Sequence, residues 1–242
     1  MPNKSIVFSV KNHIAEIVLK TPFINQDTAQ ELAEACGQVK DNDNIYVVVI
    51  TGSGDVFCRG GEGNITEACR PAAAIAAIEQ PVIAAINGDA LGLGLEIALA
   101  CDIRIASEKA RFAMPQVSAG FVPIDGGTQR LSRIIGRGKA LEMLLTADAI
   151  SAAEALEIGL VSKVVPADAL AGEVAKLAET IASKGPIALR YLKEAVLKGM
   201  DMTLEQGLKL EADLYFLLHT TSDRTEGVKS FLEKRTPKYK GK

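Results

Sequence analysis

The stretch from Pro81 to Arg130 sets the tightest limits on how this chain folds. It reads PVIAAINGDALGLGLEIALACDIRIASEKARFAMPQVSAGFVPIDGGTQR, apolar runs alternating with glycine-bearing turns. Pro81–Asn87 is a short run of β-branched residues and alanine closed by Asn87-Gly88, which predicts a buried strand entering a turn. Leu95–Cys101 has the residues of a buried helix, and Asp102–Ala106 reads as a second strand.

Between that strand and that helix, Ala90–Gly94 places Gly92 and Gly94 at alternate positions. Glycine lets a backbone come close to a ligand, and a helix starting there points unpaired N–H groups at it. Glu96 falls in the first turn of this helix. A carboxylate beside convergent backbone donors can handle a developing oxyanion and a proton together. The same residue is also explained as an acid favoured by the helix dipole, so its position alone leaves both readings open. The spacing is not a dinucleotide fingerprint, because Ile97 stands where the third glycine of G-x-G-x-x-G belongs.

The flanking sequence adds elements and removes function classes. Ser5–Leu19 alternates apolar and polar residues and predicts two strands joined near Lys11–His13. Asp27 is the expected N-cap of a helix over Thr28–Val39, and Ile45–Thr51 predicts a buried strand. Ile65–Glu79 reads as one helix interrupted near Pro71. Ile150–Gly159 predicts a helix with a capping box of Ser151 and Glu154, and Val161–Val165 a last strand. Helical patterns then follow at Ala169–Lys184, Pro186–Gly199, Thr203–Leu218 and Ser222–Lys234.

With 242 residues, 48% of them hydrophobic, the chain can bury a substantial core. It contains no apolar run near the length of a membrane span, and its opening MPNKSIVFSV lacks the apolar segment of a secretory signal, so a cytoplasmic location is expected. Cys36, Cys58, Cys69 and Cys101 show no C-x-x-C spacing, and only two histidines exist, His13 and His219. Neither a metal centre nor a disulfide frame is expected. A net charge of −3 with mixed signs gives no footprint for nucleic acid.

Five ordered segments resemble the crotonase superfamily, the enoyl-CoA hydratase/isomerase group. Phe57–Glu62 (FCRGGE) is similar to the family's F-x-A-G-A-D, and Pro81–Glu96 to P-V-I-A-A-V-N-G-x-A-L-G-G-G-x-E. Gly120–Arg130 is similar to G-x-x-P-x-x-G-G-T-Q-R, and Thr146–Pro166 and Asp223–Phe231 to later motifs. The resemblance implies an α/β fold, the crotonase spiral of ββα units, with a C-terminal helical oligomerisation region. It divides the chain into a core over 1–185, carrying an acyl-CoA site, and a helical trimerisation region over 186–242. Trimers, or dimers of trimers, are the implied assembly.

The resemblance also assigns roles. The backbone N–H groups of Gly61 and Leu93 would form an oxyanion hole for the thioester carbonyl. Leu93 stands where the family usually has glycine; its N–H survives, provided the side chain points away from the ligand. Gly60, Gly92, Asn25 and Arg59 would lie along the coenzyme A site. Glu96 falls on one of the hydratases' two carboxylates, but the other position is Gln116, which can hold a water and cannot exchange a proton near neutral pH. Asp125 is a further candidate acid, or a turn residue before Gly126-Gly127. The segment between Gly61 and Pro81 is shorter than in typical members. The implied activity is hydration of an enoyl-CoA. Isomerisation, decarboxylation, thioester hydrolysis and a catalytically silent acyl-CoA-binding scaffold are the alternatives. No cofactor is implied beyond coenzyme A as part of the substrate, and no metal.

Overall fold

The structure, a computed structural model, describes residues 5–62 and 70–242. The amino-terminal part contains β1 (Ile6–Lys11), β2 (Ile14–Leu19), α1 (Gln26–Lys40), β3 (Val47–Gly52), β4 (Val56–Cys58) and α2 (Pro71–Ala76). The central part contains β5 (Val82–Ile86), β6 (Asp89–Leu91), α3 (Leu93–Ala100), β7 (Ile103–Ser107) and β8 (Arg111–Ala113). A 3-10 turn over Pro115–Ala119 leads to α4 (Gly127–Ile135) and α5 (Arg137–Thr146). Then come β9 (Ile150–Ser151), α6 (Ala152–Glu157), β10 (Lys163–Val165), α7 (Leu170–Ala182), α8 (Pro186–Gly199), α9 (Leu204–Leu218) and α10 (Ser222–Leu232).

Two sheets share the work. The larger has the order β1-β2-β3-β5-β7-β10 and is parallel except for the β1–β2 hairpin. The smaller has the order β4-β6-β8-β9, with β4, β6 and β8 parallel. Successive strand pairs therefore step from one sheet to the other. β3–β4 precedes α2, and β5–β6 precedes α3, which gives the repeated ββα unit. Asn87 links two of these units: its side chain accepts from Gly52 N–H and donates to the carbonyls of Gly54 and Val56.

Both faces of the large sheet are buried, so its central strands read as unbroken apolar runs. Val48, Ile50 and Ala84 face the main core, while Val47, Val49, Ile83 and Ala85 face α7 through Leu170, Val174 and Ala178. The helical tail is packed differently. α8 is tied to the core by Lys193, whose Nζ lies 2.7 Å from Asp102 Oδ2 and donates to the carbonyl of Gln80. Its outer surface, with that of α9 and α10, carries exposed Leu192, Met200, Leu204, Phe216 and Phe231.

Three local expectations are corrected. The N-cap of α1 is Asn25, not Asp27: Asn25 is extended and its Oδ1 accepts from Thr28 N–H at 2.9 Å, so the helix starts earlier and Asp27 lies in its first turn. At α6, Ser151 caps Glu154 N–H, but the Glu154 carboxylate pairs with Lys139, so the box is half formed. A complete capping box occurs instead at α9, between Thr203 and Gln206. Within the helix expected over Ile65–Glu79, α2 spans only Pro71–Ala76, with Pro71 in the first turn; the first part of that segment, with Cys69, lies outside the described residues.

Candidate active site

The site begins where β6 turns into α3. Gly92, the N-cap, has φ 53° and ψ −121°, a conformation side chains rarely adopt. Its own N–H donates to the carbonyl of Ala113, while Leu93 N–H, at the first helical position, has no partner among the described residues. Gly94 allows α3 to seat on β4: a Cβ there would lie 2.1 Å from the carbonyl oxygen of Cys58. The start of the helix is thereby held beside the residues that follow β4. The side chain of Leu93 is 4% exposed and belongs to the main core, so it is accommodated inside the protein.

The second backbone donor comes from the end of β4. Ile24 makes an isolated parallel bridge with Gly61. In such a bridge the bonds run through the flanking residues, here Ile24 N–H to the carbonyl of Gly60 and Glu62 N–H to the carbonyl of Ile24. Gly61 N–H is left without a partner among the described residues. Gly60, at φ 132°, passes close to Gly92: a Cβ built on Gly92 would lie 3.8 Å from Gly60 Cα and 3.7 Å from Gln116 Nε2. The structure thus brings Gly60, Gly92 and Gln116 to one place, with Gly61 and Leu93 next in sequence.

Glu96 is 1% exposed. Its Oε1 accepts two backbone hydrogen bonds, from Asp125 N–H at 2.7 Å and Gly127 N–H at 2.9 Å. Its Oε2 has no partner among the described residues. Burial pushes its pKa up, and the Asp125 charge adds to this; the two N–H groups and Arg130 oppose it. A carboxylate so placed is fixed by one oxygen and retains the other for proton exchange. Gln116, on the 3-10 turn with its Nε2 near Gly92, has a buried Oε1 without a hydrogen-bond partner among the described residues. Buried acceptors are nearly always satisfied, so this one marks a place for a donor group.

The remaining candidates are engaged elsewhere. Both oxygens of the Asp125 carboxylate accept backbone N–H groups at the start of α2, from Ala72 at 2.6 Å and Ala73 at 3.1 Å. Asn25 uses its side-chain oxygen to cap α1, although its neighbour Ile24 touches Gly61. Arg59 lies on the surface with its Nε 3.2 Å from Asp89, which also receives a two-point contact from Arg111. These two arginines, Arg111 foremost, hold the Asp89 carboxyl below its ordinary value.

Cys58 is buried, its thiol pushed up to about 11 by burial, which keeps it protonated and inert. His13 stacks on Tyr46, with Nδ1 2.8 Å from the carbonyl oxygen of Asn44. Among the described residues no group of three or more His, Cys, Asp and Glu side chains could hold a metal ion, and no helix is long and apolar enough to cross a membrane. The contacts of Asp125 with α2 had no local signal in the sequence, since the partners come from separate segments.

The chain is similar to known proteins in both sequence and fold. The sequence model of the enoyl-CoA hydratase/isomerase family matches residues 9–242. The crotonyl-CoA hydratase of Syntrophomonas wolfei is 39% identical over 257 residues, covering 99% of each chain. The (E)-benzylidenesuccinyl-CoA hydratase of Thauera aromatica is 39% identical over 255 residues, covering 98% of this chain and 99% of its own. The crystal structure of an enoyl-CoA hydratase from Bacillus anthracis superposes with a TM-score of 0.93 at 40% identity, covering 98% of this chain and all of that one.

Proposed function

The chain belongs to the enoyl-CoA hydratase/isomerase family, the crotonases, and on that premise we propose that it hydrates the double bond of a 2-enoyl-CoA thioester with one carboxylate. The observation that carries this reading is Glu96, fixed through Oε1 by two backbone N–H groups and, among the described residues, unpartnered at Oε2. The N–H groups of Gly61 and Leu93 receive the thioester carbonyl oxygen, which gains negative charge as water adds to C3. Each such donor is worth roughly 2.7–4 kcal/mol of barrier.

Glu96 Oε2 takes a proton from the attacking water as the new C3–O bond forms and the C2=C3 π electrons move into the enolate. The protonated Glu96 then returns that proton to C2 as the enolate collapses. The water is held by donating its second hydrogen to Gln116 Oε1, the buried acceptor that has no partner among the described residues. Gln116 orients and does not exchange protons; Asp125 supports the loop. Coenzyme A extends past Gly60 and Gly92 toward Arg59 and the loop at Asn25.

The two hydratases matched at 39% identity carry different acyl groups in their names, so overall similarity leaves the acyl group open. The deciding experiment is a panel of linear, branched, aryl and dicarboxylic enoyl-CoA thioesters with mass detection. The expected result is gain of one water by at least one of them. Loss of carbon dioxide, free coenzyme A release, or a double-bond shift without water would overturn hydration.

The same reading makes the protein a cytoplasmic homo-oligomer, a trimer or a dimer of trimers. The exposed apolar faces of α8, α9 and α10 support it, because unpartnered patches of this kind mark interfaces. Light scattering at micromolar concentration is expected to give a multiple of three chains; a single 25.6 kDa particle would contradict it.

A further inference from the structure

Asp125 is a buried acid within the site whose charge is not aimed at the reacting atoms. It is 3% exposed, and both its oxygens are occupied by the first N–H groups of α2. Its backbone N–H is spent on Glu96 Oε1. One residue therefore reaches back 53 positions to Ala72 through its side chain and 29 positions to Glu96 through its main chain. Its carbonyl is fixed as well, accepting from Arg130 Nη1 at 2.7 Å.

We infer that Asp125 is a positioning residue for Glu96: its carboxylate anchors the turn to α2 so that the N–H groups of residues 125 and 127 stay on the base. The inference rests on Glu96 being the proton-handling group. A residue meant to exchange protons itself would need a free oxygen, and neither oxygen of Asp125 is free. A turn residue of the ordinary aspartate–glycine kind would satisfy a neighbouring N–H, whereas this side chain satisfies two that lie in another repeat of the fold.

Among the described residues the charged groups facing this unit are few. Arg130, from α4, faces both carboxylates, and Arg70, at the start of α2, faces Asp125. Asp125 has two opposed effects on Glu96: its charge raises the Glu96 pKa, and its N–H lowers it. Two substitutions separate them. Asp125→Asn removes the charge and keeps an oxygen for α2. Asp125→Ala removes the charge and the anchor together. Any difference between the two variants therefore reports the anchor.

The test is the titration of Glu96, followed by carboxyl-carbon NMR in protein labelled at glutamate and assigned by comparison with Glu96→Gln. This reading needs no substrate, so it stands whether or not the acyl-CoA panel shows hydration. The expected result is that Glu96 titrates at lower pH in Asp125→Asn than in wild type, and at higher pH in Asp125→Ala than in Asp125→Asn. In turnover, Asp125→Ala is expected to lose about 10²-fold in kcat with KM little changed, the scale of a misplaced catalytic group.

Equal Glu96 titration in the two variants would overturn the inference, because the anchor would then not reach the base. So would a loss in Asp125→Asn as deep as that of Glu96→Gln with Glu96 titrating normally, since Asp125 would then be exchanging the proton itself. If Asp125→Ala fails to fold, Asp125→Leu, close to asparagine in shape and without the oxygen, takes its place in the comparison with Asp125→Asn, and equal Glu96 midpoints in those two variants overturn the inference.

Discussion

The two sides of the candidate site are built on opposite plans. On the α3 side, Glu96 is buried and has both its position and one oxygen fixed by backbone donors from the loop before α4. On the side of the Pro115–Ala119 turn, Gln116 presents a buried oxygen that nothing among the described residues satisfies, and its neighbours Val117, Phe121 and Val122 are exposed. The first arrangement needs no reorganisation when charge develops; the second is completed by whatever enters. The difference teaches how each side is specified: the Glu96 carboxylate is set by the fold, and the Gln116 oxygen is left for a ligand to satisfy.

The largest effect should come from the fixed side. Glu96→Gln keeps the shape and the Oε1 acceptor while removing the base. The expected loss in kcat is about 10²–10⁴ with the productive thioester, read in single-turnover kinetics. A folded variant with wild-type turnover would remove Glu96 from the chemistry and, with it, the contrast between the two sides.

A smaller effect should come from the open side. Gln116→Glu supplies the second carboxylate that two-carboxylate hydratases use. If the site hydrates its substrate and lacks only that group, hydration of crotonyl-CoA should rise by about 10². Little hydration together with damage to the native reaction would mean that the neutral amide is matched to a different substrate or step. An unchanged rate on every thioester would place residue 116 outside the reacting centre.

What the sequence disclosed follows the same division between continuous and assembled features. β3 and β5 were legible because both sheet faces are buried, so every residue from Val47 to Ile50 is apolar. The three-residue strands β4, β6 and β8 were not, because they are too short for a period and lie among glycine turns. The first turn of α3, with Glu96 four residues after Gly92, was readable as a local unit. The clamp on Glu96 was not, since Asp125 and Gly127 reach it across a gap of about thirty residues set by tertiary packing. Asn25 and Asp27 are equally good caps by type, and only the extended backbone of Asn25 separates them. The exposed faces of α8 to α10 were visible as apolar periodicity, which says that a surface needs covering without naming what covers it.

The smallest effect bears on the cost of the fixed side. Burial raises the folded-state pKa of Glu96 above its ordinary value of 4.5, so the folded protein holds this proton more tightly than the unfolded chain does. Below pH 4.5 both states are protonated and the residue is neutral in the comparison. As pH rises from there, the unfolded chain releases its proton first, and stability falls until the folded-state value has been passed. Glu96→Gln has no such titration. Its melting temperature should therefore match wild type in acid, rise relative to it above pH 4.5, and level off once the buried carboxylate is ionised. On the proposed hydration, in which the ionised form takes the proton from water, the acid limb of wild-type kcat/KM should lie in the same window. Thermal unfolding followed from acid to neutral pH in both proteins reads the difference directly. A gap that is constant with pH would mean that Glu96 is as well solvated by its two N–H donors as it is in water. The base would then be held at no expense to stability, and the open side alone would account for how this site is tuned.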